Sequence, residues 1–281
     1  MTVFLAYDQA ELDRQYDQRA WAANATDVIR RYADDSDAVR ARLGAPQVHA
    51  YGASAAETLD LYRAAVTPAP LHVFVHGGAW RLLSKRESAF AAELFVDAGA
   101  HFAALDFALI PAVTLREMAA QARRALAWLY READAIGVDR HRIFLSGHSS
   151  GAHLAALAAV TDWRDFGLPP DLVKGTLCAC GIYDLRPVRL SARNDYVRLD
   201  EAMEQELSPQ RHLARLNGAL VVACAEHDSD EFRRQAREFA AAAGVDLLVG
   251  EGLNHFELAE TLARRDGLLG RAALRQMGLG S

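Results

Sequence analysis

The 281 residues contain only three cysteines, and no apolar run approaches the roughly 20 residues needed to cross a bilayer. An odd, sparse cysteine set speaks against a disulfide framework. Lysine and arginine form no block and the formal net charge is −6, so neither nucleic acid nor an anionic membrane has an electrostatic footprint. The opening residues, Met1 to Asp8, lack a basic stretch, and their apolar part is too short for a secretory signal. No repeat of about 20 to 50 residues and no low-complexity linker divides the chain. There is no H-E-x-x-H, no P-loop lysine and no G-x-G-x-x-G after a first strand. Cys178-Ala179-Cys180 alternates along an expected strand without a second pair, so no metal is expected. These exclusions leave a cytoplasmic globular protein that needs no cofactor. Its expected partner is a small-molecule substrate, and a homodimer is compatible with the sequence.

What is present is a rhythm. With 51% hydrophobic and 24% charged residues the chain can bury a sizeable core. Short apolar runs at 71–75, 102–107, 142–146, 175–180, 219–224 and 246–249 lack strict alternation, which suits strands buried on both faces. Between them lies helical periodicity. Leu115, Met118, Ala119, Ala122, Leu126, Leu129 and Tyr130 recur at three- and four-residue steps, with Pro111 ahead and Gly137 behind. Repeated strand and helix predict an α/β protein with a mostly parallel sheet and helices on both faces. Residues 48–50 and Thr58–Tyr62 supply a leading antiparallel pair. One domain is expected over 1–281, with residues 1–45 as a helical covering segment and 185–215 as a cap or loop segment.

The chemistry centres on Gly147-His148-Ser149-Ser150-Gly151, between the strand at 142–146 and an apolar helical stretch at 152–160. A sharp strand-to-helix turn needs small neighbours and presents Ser149 at the sheet's carboxyl edge, ahead of a helix N-terminus. A serine nucleophile needs a base and a group to orient it, following in the order acid, then histidine. Of ten histidines, only His255 lies beyond the last expected strand; His212 and His227 sit in less specific places. The loop after 219–225 offers Glu226, Asp228, Asp230 and Glu231. The last two suit the first turn of a following helix, leaving Asp228 as the choice and Glu226 as second. Asp184 reads as structural. His76-Gly77-Gly78-Ala79-Trp80 follows the run at 71–75 and suits a glycine-rich loop that donates N–H groups to an oxyanion. Gly77, Gly78 and Ser150 are the expected donors, and His76 braces the loop. Trp80, Tyr183 and Phe256 are candidates to hold an aryl ring, with ordinary core packing as the alternative for each.

With these residues in place, the chain resembles the kynurenine formamidase (arylformamidase) family of α/β-hydrolases. The likeness is carried by Tyr51-Gly52, by residues 57–62 and by residues 76–80. It continues through Gly147-His148-Ser149-Ser150-Gly151-Ala152-His153-Leu154, Thr161-Asp162-Trp163, residues 181–187, 207–209 and 227–235, and Asn254-His255-Phe256. The resemblance implies the α/β-hydrolase fold and places nucleophile, acid and base on Ser149, Asp228 and His255. It departs at Ala79, where an aromatic is frequent, and at Ser150, where Ala is frequent. It departs again at Cys180 in place of Ser and at Phe107 in place of Tyr. The expected reaction is cleavage of an N-formyl or short N-acyl aryl amide, such as N-formylkynurenine, through an acyl-enzyme. The alternatives are a carboxylesterase or another amidase of the same fold, then a catalytically silent binding protein.

Overall fold

The computed structural model describes residues 1–280. Eight strands form one sheet: β1 (Gln47–Ala50), β2 (Thr58–Tyr62), β3 (Ala69–Val75), β4 (His101–Leu105), β5 (Val138–His148), β6 (Val173–Ala179), β7 (Ala219–Ala225) and β8 (Leu247–Gly250). Their order is β1-β2-β4-β3-β5-β6-β7-β8. β2 runs antiparallel to both neighbours, while β4, β3 and β5 to β8 run parallel to one another. This is the α/β-hydrolase arrangement. β3 and β4 are buried at every position, which is why their sequences read as unbroken apolar runs.

Alternation within β3 divides the core. Leu71, Val73 and Val75 face the helices Leu115–Arg131 and Ser150–Ala159. Phe74 faces the opposite layer, with Phe95, Phe102, Leu269 and Leu274. The Leu115–Arg131 helix begins where Thr114 Oγ1 accepts the Glu117 N–H, and it buries Leu115, Met118, Ala122, Leu126 and Leu129. The Ser150–Ala159 helix is buried at all ten positions. Its alanines let it lie close on the sheet against β5 and β6, with its first turn reaching β3.

The expected run at 102–107 ends early as a strand, at Leu105. Asp106 still donates its N–H to the Thr58 carbonyl of β2, but its own carbonyl is turned out of the ladder to accept from the Tyr51 hydroxyl. Residues 1–45 are helical, as Gln9–Gln15, a 3-10 turn at Gln18–Trp21 and Ala25–Leu43. Leu12, Tyr16, Val28 and Tyr32 are buried, whereas Trp21 lies outside under the Arg14 guanidinium, 4.2 Å from its ring. Residues 185–215 form four short helical pieces tied by Arg189 and Arg211, both paired to Glu204. No helix among the described residues is long and apolar enough to cross a membrane.

Candidate active site

β5 delivers Ser149 to the carboxyl edge of the sheet, and the chain then reverses into the helix Ser150–Ala159. The turn is so tight that Ser149 adopts φ 56° and ψ −123°, a region that costs an L residue of order 1–3 kcal/mol. Close approach demands the glycine at 151: a Cβ there would stand 2.1 Å from the Val75 carbonyl oxygen. The loop after β7 turns Asp228 inward, where its Oδ2 accepts the Ala225 N–H at 2.9 Å. The loop after β8 ends at Asn254, whose side chain caps the helix His255–Glu260 by accepting the Phe256 and Glu257 N–H groups.

These three turns bring the three side chains into one line. His255 Nδ1 lies 2.6 Å from Asp228 Oδ1, and His255 Nε2 lies 3.0 Å from Ser149 Oγ. All three are nearly inaccessible to water. Burial by itself raises the Asp228 pKa. The nearby His255 charge, the hydrogen bonds from His255 and the Cys180 thiol, and the Ala225 N–H outweigh it, and the carboxyl ends below its ordinary value. An ionised Asp228 holds Nδ1–H and leaves Nε2 free to take a proton from Ser149. Glu226 points elsewhere: its Oε2 accepts the Gly252 N–H on the exposed β8 turn. Asp230 and Glu231 begin the next helix, and Asp184 pairs with Arg211.

The glycine-rich loop at 76–80 faces this line, with Gly77 against Ser149 and His148. Gly78 sits at φ 103°, and a Cβ on it would lie 2.0 Å from the Leu82 carbonyl oxygen, so only glycine is accommodated. The N–H groups of Gly77, Gly78 and Ser150 have no acceptor among the described residues, the condition for binding a developing oxyanion. Ser150 Oγ accepts the Trp80 N–H at 3.2 Å and ties this loop to the elbow. His76 stacks on Phe107 at 4.4 Å, and one ring nitrogen lies 2.9 Å from the Gly77 carbonyl oxygen, a bracing arrangement.

Two of the aromatic expectations need correction. Ala79 and Trp80 both take positive φ, and this twist carries the Trp80 indole away from the cavity and into the core. There its Nε1–H donates to His153 Nδ1 at 3.3 Å. Tyr183 is fully buried, stacked on Phe239 at 4.0 Å. Neither touches the cavity over Ser149, whereas Phe256 does. That cavity, about 580 Å³, is roofed by Tyr16, Tyr32, Arg81, Arg193 and Tyr196. Sequence reasoning missed these because all but Arg81 come from the covering segments, with no local motif to mark them, and Arg81 lies just beyond the motif at 76–80. It also missed His148, which has a local position but no motif role. Its Nε2–H donates to the His255 carbonyl oxygen at 2.8 Å, and burial pushes its pKa down to about 3, so the neutral ring steadies the backbone of the base.

The ring nitrogens of His148 and His255 and the Cys180 sulfur lie within 4.8 Å of one another. They suit a metal poorly. Burial holds the Cys180 thiol protonated, and His148 Nε2 and both His255 nitrogens already have partners.

Comparison with known proteins agrees with this geometry. Residues 59–168 match the BD-FAE family. The kynurenine formamidase of Danio rerio is 32% identical, over 99% of this chain and 99% of its own. That of Salmo salar is 33% identical, over 95% and 96%. A putative thioesterase structure from Silicibacter sp. superposes with a TM-score of 0.84 at 26% identity, covering 94% of this chain and 98% of its own. At 20% identity and a TM-score of 0.70, the carboxylesterase EstE1 shares the fold. With full-length relatives above 30% identity and the nucleophile elbow, histidine and acid in one hydrogen-bonded line, the chain belongs to the kynurenine formamidase family of α/β-hydrolases.

Proposed function

We propose that the chain is a serine hydrolase that releases formate from N-formyl aryl amides such as N-formylkynurenine. The observation that carries this is the unbroken line Asp228, His255, Ser149 beneath three uncommitted backbone amides. His255 Nε2 takes the Ser149 proton as Oγ attacks the formyl carbon. The N–H groups of Gly77, Gly78 and Ser150 receive the negative charge on the formyl oxygen. His255, held by Asp228, then gives its proton to the departing arylamine nitrogen. A water enters, His255 takes its proton, and formate leaves as Ser149 is restored. Phe256 lines the cavity beside the base and offers an apolar surface to an aryl ring. The protein acts on a soluble small molecule and works without a cofactor, in the cytoplasm.

Ala79 favours a second reading. It lines the cavity next to the oxyanion loop, where it leaves room for an acyl group larger than formyl, as a carboxylesterase would need. The deciding experiment compares kcat/KM for formyl and butyryl derivatives of one aryl leaving group, with N-formylkynurenine assayed alongside. Each methylene accepted or refused shifts selectivity by about 1–3 kcal/mol. A ratio favouring formyl is expected, and a ratio favouring butyryl would replace the formamidase reading with the esterase.

A further inference from the structure

The roof of the cavity carries charges of both signs that form no ion pair among the described residues. Arg193 donates through Nη2 to the Tyr16 carbonyl oxygen and lies over the Tyr16 ring at 5.3 Å. Its Nη1 is buried without a hydrogen-bond acceptor. Arg81, just past the oxyanion loop, lies over the Tyr196 ring at 4.2 Å. The same wall holds Asp13 and Asp17. Asp13 Oδ1 receives hydrogen bonds from Gln9 Nε2 and the Ala192 N–H, and Asp17 Oδ1 receives the Arg19 N–H. None of these four side chains enters an ion pair among the described residues, although Arg189 and Arg211 of the same cap segment both share Glu204.

A guanidinium out of water without a counter-charge is unfavourable. Burial draws the Arg193 pKa below its ordinary value and Arg81 adds repulsion, while Tyr196, Tyr16 and the unpaired Asp17 offset only part of this. A substrate with a neutral leaving group would leave that deficit in place. A leaving group ending in both a carboxylate and an ammonium would relieve it at both signs. We propose that Arg193 and Arg81 bind the α-carboxylate of an amino acid forming the leaving-group end of the substrate, with Asp13 and Asp17 facing its ammonium. This rests on the aryl formamide reading and adds the subsite that selects the end remote from the formyl group.

The test uses two formamides with the same ring and ketone, N-formylkynurenine and 2′-formamidoacetophenone, which lacks the amino-acid end. In the wild type the amino-acid substrate is expected to be preferred. In Arg193→Gln the ratio of their kcat/KM values should fall about ten- to a hundredfold, mostly through KM. An unchanged ratio would overturn the proposal and leave Arg193 as a brace between cap and N-terminal segment. Should Arg193→Gln not fold, the exposed Arg81→Gln carries the same comparison, with a fall in the ratio expected and an unchanged ratio overturning it. If the wild type cleaves neither formamide, the formamidase reading fails by itself. The subsite is then tested with O-acetyltyrosine against p-cresyl acetate, where a preference for the former that disappears in Arg193→Gln supports it and no preference overturns it.

Discussion

Ser149 is held in a strained backbone conformation that its side chain does nothing to relieve, so removing the hydroxyl should spare the fold. Ser149→Ala is expected to melt within about 1 kcal/mol of the wild type and to lose at least about a thousandfold in kcat, since members of such a unit fail together. Retention of about a tenth of turnover would relocate the nucleophile. For the acid, Asp228→Asn should cost on the order of 10⁴ in kcat by favouring the wrong imidazole tautomer. Glu226→Gln should cost less than about tenfold, because that carboxylate only accepts the Gly252 N–H on an exposed turn. Reversed results would mean that the β7 loop carries its acid elsewhere. At this scale the sequence makes the reacting line legible, because each member sits at a fixed offset from a strand end. For Trp80 and Tyr183 the sequence leaves ring contact and core packing open. A side chain beside a loop can turn to either face, and the positive φ at Ala79 and Trp80 decides the matter without leaving a mark in residue type.

The elbow works only if the helix behind it touches β3. A Cβ on Gly151 would meet the Val75 and His76 carbonyls at 2.1 and 2.4 Å, and backbone atoms there have no way to yield. Gly151→Val is therefore expected to lower the urea midpoint by the equivalent of about 2 kcal/mol or more, with activity falling in parallel. A variant as stable as the wild type would show that this helix can shift on the sheet. The strands at the sheet's centre were legible because double burial writes a continuous apolar run, and the Leu115–Arg131 helix because its buried stripe repeats over several turns. The four pieces in 185–215 were not. Each spans four to seven residues, too short for a periodic signal, and their positions depend on distant pairings such as those on Glu204.

Across the whole molecule, burial sets how the protein answers acid. His72 is stacked on Phe95 at 4.0 Å with Phe102 alongside at 6.0 Å, and burial pushes its pKa down to about 3; His148 likewise reaches about 3 and His153 about 4. The unfolded chain takes protons on these rings near pH 6.5, while the native state refuses them until far lower. Their stabilising effect is complete above about pH 6.5 and is lost as the pH falls from there toward 4, at about 1.4 kcal/mol per pH unit per ring. The urea midpoint should accordingly drop through that range, and His72→Phe should flatten the fall. A midpoint constant from pH 7 to 5 would contradict the buried neutral state of these rings. The three cysteines lie equally deep in the sheet and its rim. All are buried, Cys178 and Cys180 with thiols raised far above their ordinary pKa and Cys224 pushed up to about 11. The folded molecule thus carries a silent clock. An aromatic disulfide reagent should register nothing in the native state and count three thiols once the sheet opens, so the rate of colour development measures opening itself. Fast labelling of a fully active sample would mean that the β6 and β7 ends breathe far more than their burial implies.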